Sequence, residues 1–231
     1  MKTYCISDIH GHLDNLKRFT KTLSKNDRVY VLGDVVDKGP KSIECLLFIM
    51  NDKRFKLLLG NHDYMMYKYI TSLDIETKYM YFNQWFKLNE GEKTFNKFNS
   101  LDHKTQDKII DYLSNLQTGL LVKVKDKSYL LAHADPNARE DIKAKDNPDI
   151  VEDIVWRRIY KYDFDFRKEK VIVGHTPVQL LYEDLICKPY FKAETIDKAK
   201  VIVIDGGLAN VDITKGKLIA LCLDDLTYTI Y

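Results

Sequence analysis

Residues able to bind a metal or move a proton recur in this 231-residue chain immediately after short apolar runs. Tyr4-Cys5-Ile6 runs into Ser7-Asp8-Ile9-His10-Gly11, and Val29 to Leu32 runs into Gly33-Asp34-Val35-Val36-Asp37-Lys38-Gly39. Phe55 to Leu59 is followed by Gly60-Asn61-His62-Asp63, Tyr129 to Ala132 by His133-Ala134-Asp135, and Val171 to Val173 by Gly174-His175-Thr176-Pro177. Taken singly, each piece has an ordinary alternative. Asp8-Ile9-His10 fits a surface turn, Gly33-Asp34 a helix cap, Gly60-Asn61-His62-Asp63 a plain turn, and Gly174-His175 a strand end with a buried imidazole. Five together deliver Asp8, His10, Asp34, Asn61, His133 and His175, a ligand set for a polynuclear metal site. Mixed oxygen and nitrogen donors suit Mn, Fe, Zn, Co or Ni better than Mg in an all-oxygen shell. Of the other histidines, His103 lies in a polar helical stretch and is read as a surface residue, while His12, at a helix start, is left as a candidate to support a ligand, with a surface role the stronger reading.

The apolar runs are the elements that must position these groups. Continuous Val/Ile/Leu runs of this length suit strands covered on both faces. Between the first three, Leu13, Leu16, Phe19 and Leu23 recur at helical spacing. So do Ile43, Leu46, Leu47 and Met50, after a Pro40 suited to a first helical turn. The order β-α-β-α-β predicts an α/β fold with parallel strands and right-handed crossovers. In such sheets the loops after the strand C-termini line the ligand crevice. Val201 to Ile204, Leu218 to Leu223 and Leu226 to Ile230 predict further strands. Residues 61–116, rich in Tyr, Phe, Lys and Asn, read as a mostly helical insertion whose aromatics serve core and lid packing. No linker or repeat interrupts the chain, so a single domain over 1–231 is expected.

Composition narrows the function classes. With Lys plus Arg at 36 and Asp plus Glu at 34 the net charge is +2, which gives no support to a nucleic-acid partner or a membrane-surface role. The longest apolar runs, about five residues, fall far short of the ~20 needed to span a bilayer. No apolar leader follows Met1, and Cys5, Cys45, Cys187 and Cys222 are scattered without a C-x-x-C, so a cytoplasmic protein with reduced thiols is expected.

The same strings resemble the calcineurin-like metallophosphoesterases, in particular their phosphoprotein phosphatase branch. That branch carries G-D-x-H-G, G-D-x-V-D-R-G and G-N-H-E, then separate histidine motifs. Here His133-Ala134-Asp135, Trp156-Arg157-Arg158, Gly174-His175-Thr176-Pro177 and Ile204-Asp205-Gly206-Gly207 follow in the family order. The resemblance implies an αββα sandwich of two mixed sheets flanked by helices and a centre of two divalent transition-metal ions, with Mn the expected activator in vitro. Asp8, His10 and Asp34 would hold the first ion. Asp34, Asn61, His133 and His175 would hold the second, with Asp34 bridging. His62 would be the general acid, oriented by Asp37. Arg158, two residues after Trp156, would clamp phosphate together with Lys38. Arg157 is its rival for that role, while Trp156 and Asp205 are read as structural. Three departures stand out: Ser7 for the first Gly, Asp63 for Glu, and Lys38 for Arg. Lys38 keeps the charge but offers a point where Arg offers a planar fork. The expected substrate is a phosphoprotein, with Ser/Thr (or Tyr) dephosphorylation. The alternative is a symmetrical bis(5'-nucleosyl)-tetraphosphate hydrolase or another small-molecule phosphoesterase.

Overall fold

The computed structural model describes residues 1–136, 138–158 and 168–231. Its first sheet takes β1 (Thr3–Ile6), β2 (Arg28–Val31), β3 (Phe55–Leu57), β8 (Ile219–Cys222) and β9 (Tyr228–Ile230), in the order β3-β2-β1-β8-β9. The second takes β4 (Gly119–Val124), β5 (Lys127–Ala132), β6 (Lys170–Val173) and β7 (Val201–Val203), in the order β4-β5-β6-β7. Strands β1, β2 and β3 run parallel, as do β5, β6 and β7, while β8, β9 and β4 join antiparallel. Both sheets are therefore mixed. The expected parallel β-α-β-α-β unit supplies three of the five strands of the first sheet.

Strand periodicity divides the core into two layers. Ile6, Val29, Val31, Phe55, Leu57 and Ala220 face one hydrophobic layer, built with α1 (Leu13–Thr20), α2 (Ser42–Asn51) and the helices after β3. Cys5, Ile219 and Leu221 face the other way, onto Tyr129, Leu131 and Ile172 of the second sheet. The Tyr129 hydroxyl crosses this interface to the Leu223 carbonyl at 2.9 Å. The two sheets thus share one apolar seam with their helices outside.

The stretch after β3 is helical: α3 (Asn61–Thr71), α4 (Ile75–Tyr81), a π-helical segment (Phe82–Lys87), α5 (Gly91–Asn99) and α6 (His103–Ser114). α7 (Pro148–Trp156), α8 (Val178–Tyr182) and α9 (Val211–Thr214), the last preceded by a 3₁₀ turn at Leu208–Asn210, complete the described helices. Three sequence expectations shift. α1 closes at Thr20, before Leu23. α2 starts at Ser42, two residues after Pro40, because the Lys41 N–H is held by the Gly11 carbonyl at 3.1 Å before the helix begins. The edge strand β4 has no counterpart in the sequence reading: Leu121 and Lys123 lie on its exposed face, so it lacks the continuous apolar run of a buried strand.

Candidate metal centre

The five strings that follow apolar runs gather at the C-terminal ends of the parallel strands of both sheets. Asp8 and His10 follow β1, Asp34 follows β2, and Asn61 and His62 open α3 after β3. His133 follows β5 and His175 follows β6. Every one of these side chains is buried. Asp8, His10, Asp34, Asp37, Lys38 and His175 all adopt left-handed backbone, with φ between 44° and 70°. Such conformations cost non-glycine residues on the order of 1 kcal/mol or more each and concentrate at functional sites. Hydrogen bonds hold the turns: the His10 N–H reaches the Asp34 carbonyl at 3.0 Å, and the Gly11 N–H the Val35 carbonyl at 2.9 Å. The Asp63 carboxylate accepts from the backbone N–H groups of Asp34 (2.8 Å) and Val35 (3.1 Å). Asp63 thereby pins the second loop to the start of α3. Two glycines are sterically required. A Cβ on Gly60 would lie 2.2 Å from Asp34 Oδ1, and one on Gly174 2.2 Å from Asp8 Oδ2.

Two groups of ligand atoms form, each with all its atoms within 4.8 Å of one another: His10, Asp34 and His62, and Asp34, His133 and His175. Asp34 belongs to both. Its Oδ2 lies 3.6 Å from His10 Nε2 and 3.5 Å from His133 Nε2. His133 Nε2 is also 2.9 Å from Asn61 Oδ1 and 3.1 Å from His175 Nδ1. Asp8 stands beside these groups. Its carboxylate accepts from the His175 N–H at 3.0 Å and from the Ser7 hydroxyl, so the serine in place of glycine adds a donor to the carboxylate.

The donor chemistry fits cations. His10 and His133 give their Nδ1–H groups to the carbonyls of Val36 (3.0 Å) and Leu32 (2.7 Å). A neutral ring so anchored leaves its Nε2 lone pair free. Around His133 Nε2, the Asn61 oxygen and the Asp34 carboxylate add further acceptors, and among the described residues none hydrogen-bonds the buried His175 Nε2. Converging buried acceptors repel one another unless a proton or a cation lies between them. Burial pushes the His10, His133 and His175 imidazoles down, His133 to about 3. Burial also pushes the Asp8 and Asp34 carboxyls well up, helped by Asp205 for Asp8 and by Asp8 for Asp34. Imidazoles ready as lone-pair donors beside carboxylates short of positive charge are what a metal site presents before loading.

His62, itself a member of the first group, is paired with Asp37. His62 Nδ1 is 2.7 Å from Asp37 Oδ2. Burial, then the Lys38 ammonium, push the His62 imidazole down to about 3, and burial pushes the Asp37 carboxyl up to about 7. Lys38 Nζ is 3.2 Å from Glu90 Oε1. Arg158 donates to the His175 carbonyl at 3.2 Å, whereas Arg157 pairs with Asp135 and Asp153. Trp156 packs edge-on to the His175 ring, with centroids 6.0 Å apart. Asp205 is buried and accepts from the Gly207 N–H at 2.8 Å. Sequence reasoning missed Trp85 and Thr94, which both donate to Asp37. They sit in the aromatic helical stretch, where no motif sets them apart from packing residues.

A model of the calcineurin-like phosphoesterases matches residues 1–206. The chain belongs to the calcineurin-like phosphoesterase family. Within it, the chain is 31% identical over 138 residues to the symmetrical bis(5'-nucleosyl)-tetraphosphatase of Pasteurella multocida, covering 58% of this chain and 44% of that one. It is 30% identical over 147 residues to the enzyme of the same name from Haemophilus influenzae, covering 62% and 47%. The chain therefore spans less than half the length of these relatives. Among solved structures, a yeast (Saccharomyces cerevisiae) protein serine/threonine phosphatase superposes with a TM-score of 0.59 at 17% identity, covering 100% of this chain and 79% of that one. A cold-active protein-tyrosine phosphatase from Shewanella gives 0.56 at 17% identity, covering 99% and 80%. These two likenesses establish the phosphoesterase fold shared by the two mixed sheets.

Proposed function

We propose that this phosphoesterase hydrolyses phosphate esters or anhydrides at a dinuclear metal centre, acting on dinucleoside polyphosphates ahead of phosphoproteins. The observation that carries the dinuclear reading is the Asp34 carboxylate, which belongs to both groups of potential ligands. His10, Asp34 and Asp8 would hold one divalent ion, and Asp34, Asn61, His133 and His175 the other. When bound, the two cations supply an activated water and neutralise phosphoryl charge. The chain's own residues do the rest. Arg158 presents a guanidinium beside His175 that can take a phosphoryl oxygen in a bidentate fork. Lys38, whose ammonium acts on the His62 and His10 rings and pairs with Glu90, adds a point charge on the His62 side. His62, whose Nδ1 is turned to Asp37, presents Nε2 for proton transfer to the leaving oxygen. Its ring is neutral as it stands, so a proton must reach Nε2, and the Asp37 carboxylate stabilises the cation so formed.

Two things support the nucleotide order. The curated relatives at about 30% identity carry the tetraphosphatase name. Lys38 also replaces the arginine fork of the protein phosphatase branch. The second reading, a protein phosphatase, rests on Trp156-x-Arg158, with Trp156 packed on His175 and Arg158 bound to its carbonyl. Steady-state rates with Mn²⁺ on a dinucleoside tetraphosphate, a phosphoserine peptide and a phosphotyrosine peptide separate the two. A kcat/KM higher on the nucleotide by tenfold or more is expected; turnover of the peptides alone reverses the order.

A further inference from the structure

The helical stretch after β3 reaches into the catalytic pair. Asp37 is almost completely buried, and its carboxylate takes three side-chain donors from three places in the chain. His62 Nδ1 (2.7 Å) and Trp85 Nε1 (2.7 Å) share Oδ2, and the Thr94 hydroxyl (2.6 Å) holds Oδ1. The Asp37 N–H is itself tied to Ser42 Oγ at 2.8 Å. We propose that Trp85 and Thr94 are positioning residues of the reaction, fixing the Asp37 carboxylate so that His62 is held in one tautomer with Nε2 aimed into the site. This rests on the phosphoesterase reading above.

Geometry separates that role from plain packing. A carboxylate held by one donor can swing about its Cβ–Cγ bond. Donors on both oxygens fix its plane, and the plane fixes the imidazole that binds it. Trp85 is fully buried inside a ring of Tyr69, Phe86 and Phe95, with centroids 5.5, 5.3 and 6.3 Å from its own. Its indole leaves no room behind it: a Cβ on Gly91 would lie 2.4 Å from Nε1. It lies in the π-helical segment Phe82–Lys87, a local widening that recurs at functional sites. Thr94, also buried, stands one helix further on, in α5. An apolar cluster has no need to aim two polar hydrogens at one carboxylate. The aim is what links these helices to the chemistry.

The pair Thr94→Val and Thr94→Ser, with Trp85→Phe, tests this on the full chain loaded with Mn²⁺. Turnover of p-nitrophenyl phosphate and metal content are measured together. Thr94→Val keeps the shape and deletes the hydroxyl, and Thr94→Ser restores the donor. Misplacement of the pair is expected to lower kcat about 10- to 100-fold in Thr94→Val and Trp85→Phe, with KM within about twofold and metal content unchanged. Thr94→Ser is expected to recover most of the loss. Equal kcat in wild type and Thr94→Val, or Thr94→Ser as impaired as Thr94→Val, overturns the proposal. So does a loss of kcat that only follows lost metal. Trp85→Phe is read as a second arm, and the Thr94 pair decides by itself if that variant does not fold. Wild-type protein that takes up metal yet turns over no phosphate substrate would instead overturn the phosphoesterase reading, before the variants are compared.

Discussion

Asp34 is asked to do two things at once, and its surroundings serve both. Its Oδ2 faces imidazoles from two groups, while Oδ1 takes the His62 N–H at 2.9 Å and is hemmed in by Gly60. Removing one negative oxygen should therefore cost both ions. Asp34→Asn is expected to lose nearly all bound Mn²⁺ from both sites, read by elemental analysis after gel filtration; a full pair retained would refute the shared carboxylate. His62→Asn is expected to keep its metal and lose kcat by about 10²- to 10⁴-fold, the range for a general acid. His62 lies within ligand reach of His10 and Asp34, so loss of metal with activity would make it a ligand instead. At this scale the sequence was legible where chemistry and strand ends coincide. Asp8, His10, Asp34, Asn61, His62, His133 and His175 each follow an apolar run. Trp85 and Thr94 were not legible, because 48 and 57 residues separate them from Asp37 and only the folded chain closes that distance. The pairing of Lys38 with Glu90 was hidden for the same reason.

Elements are set by period and by their ends, and the ends read less clearly than the middles. The buried strands β1, β2, β5 and β6 stood out as short continuous apolar runs, while β4, half exposed, did not. One connection shows how an end can be fixed by a single side chain. Between α1 and β2, the Asp27 carboxylate accepts from the Ser24 N–H at 2.8 Å and the Lys2 N–H at 2.7 Å, tying the turn to the start of β1. Burial pushes the Asp27 carboxyl up, but these two N–H groups and the Arg54 guanidinium outweigh it, and the net shift is downward from 3.8. A carboxyl with a lowered folded pKa contributes stability that is present above its unfolded pKa and lost as pH falls through the folded one. Asp27→Asn should lower stability by about 1 kcal/mol near neutral pH. The gap to wild type should narrow from about pH 5 to pH 3, as the wild-type carboxylate takes up its proton. Urea midpoints across that range give the answer. A gap that widens on acidification would place the stabilisation in some other group.

The whole molecule matters because the candidate centre is divided between its two halves. Asp8, His10, Asp34 and Asn61 come from the first sheet and its helices, and His133 and His175 from the second. The apolar seam of Cys5, Ile219, Leu221, Tyr129, Leu131 and Ile172 sets the distance between them. A cation held by ligands from both sheets binds the assembled sandwich and not the separated halves, so its binding free energy becomes folding free energy. Each ion at about 100 times its Kd should add about 2.7 kcal/mol to unfolding. Two variants separate this linkage from general packing. Ile172→Ala removes buried methylenes from the seam at a cost of about 2–5 kcal/mol. If the backbone of β6 holds its place, this variant starts lower but keeps most of the metal increment. Asp34→Asn should start near the wild-type metal-free value, or above it because a buried carboxyl near Asp8 and Asp63 is removed, and gain almost nothing from metal. Denaturant melts of the three proteins with Mn²⁺ and with EDTA decide it. An equal metal increment in wild type and Asp34→Asn would mean that the cation stabilises some other part of the fold. A lost increment in Ile172→Ala would mean that the seam, more than the loops, sets the spacing of the ligands.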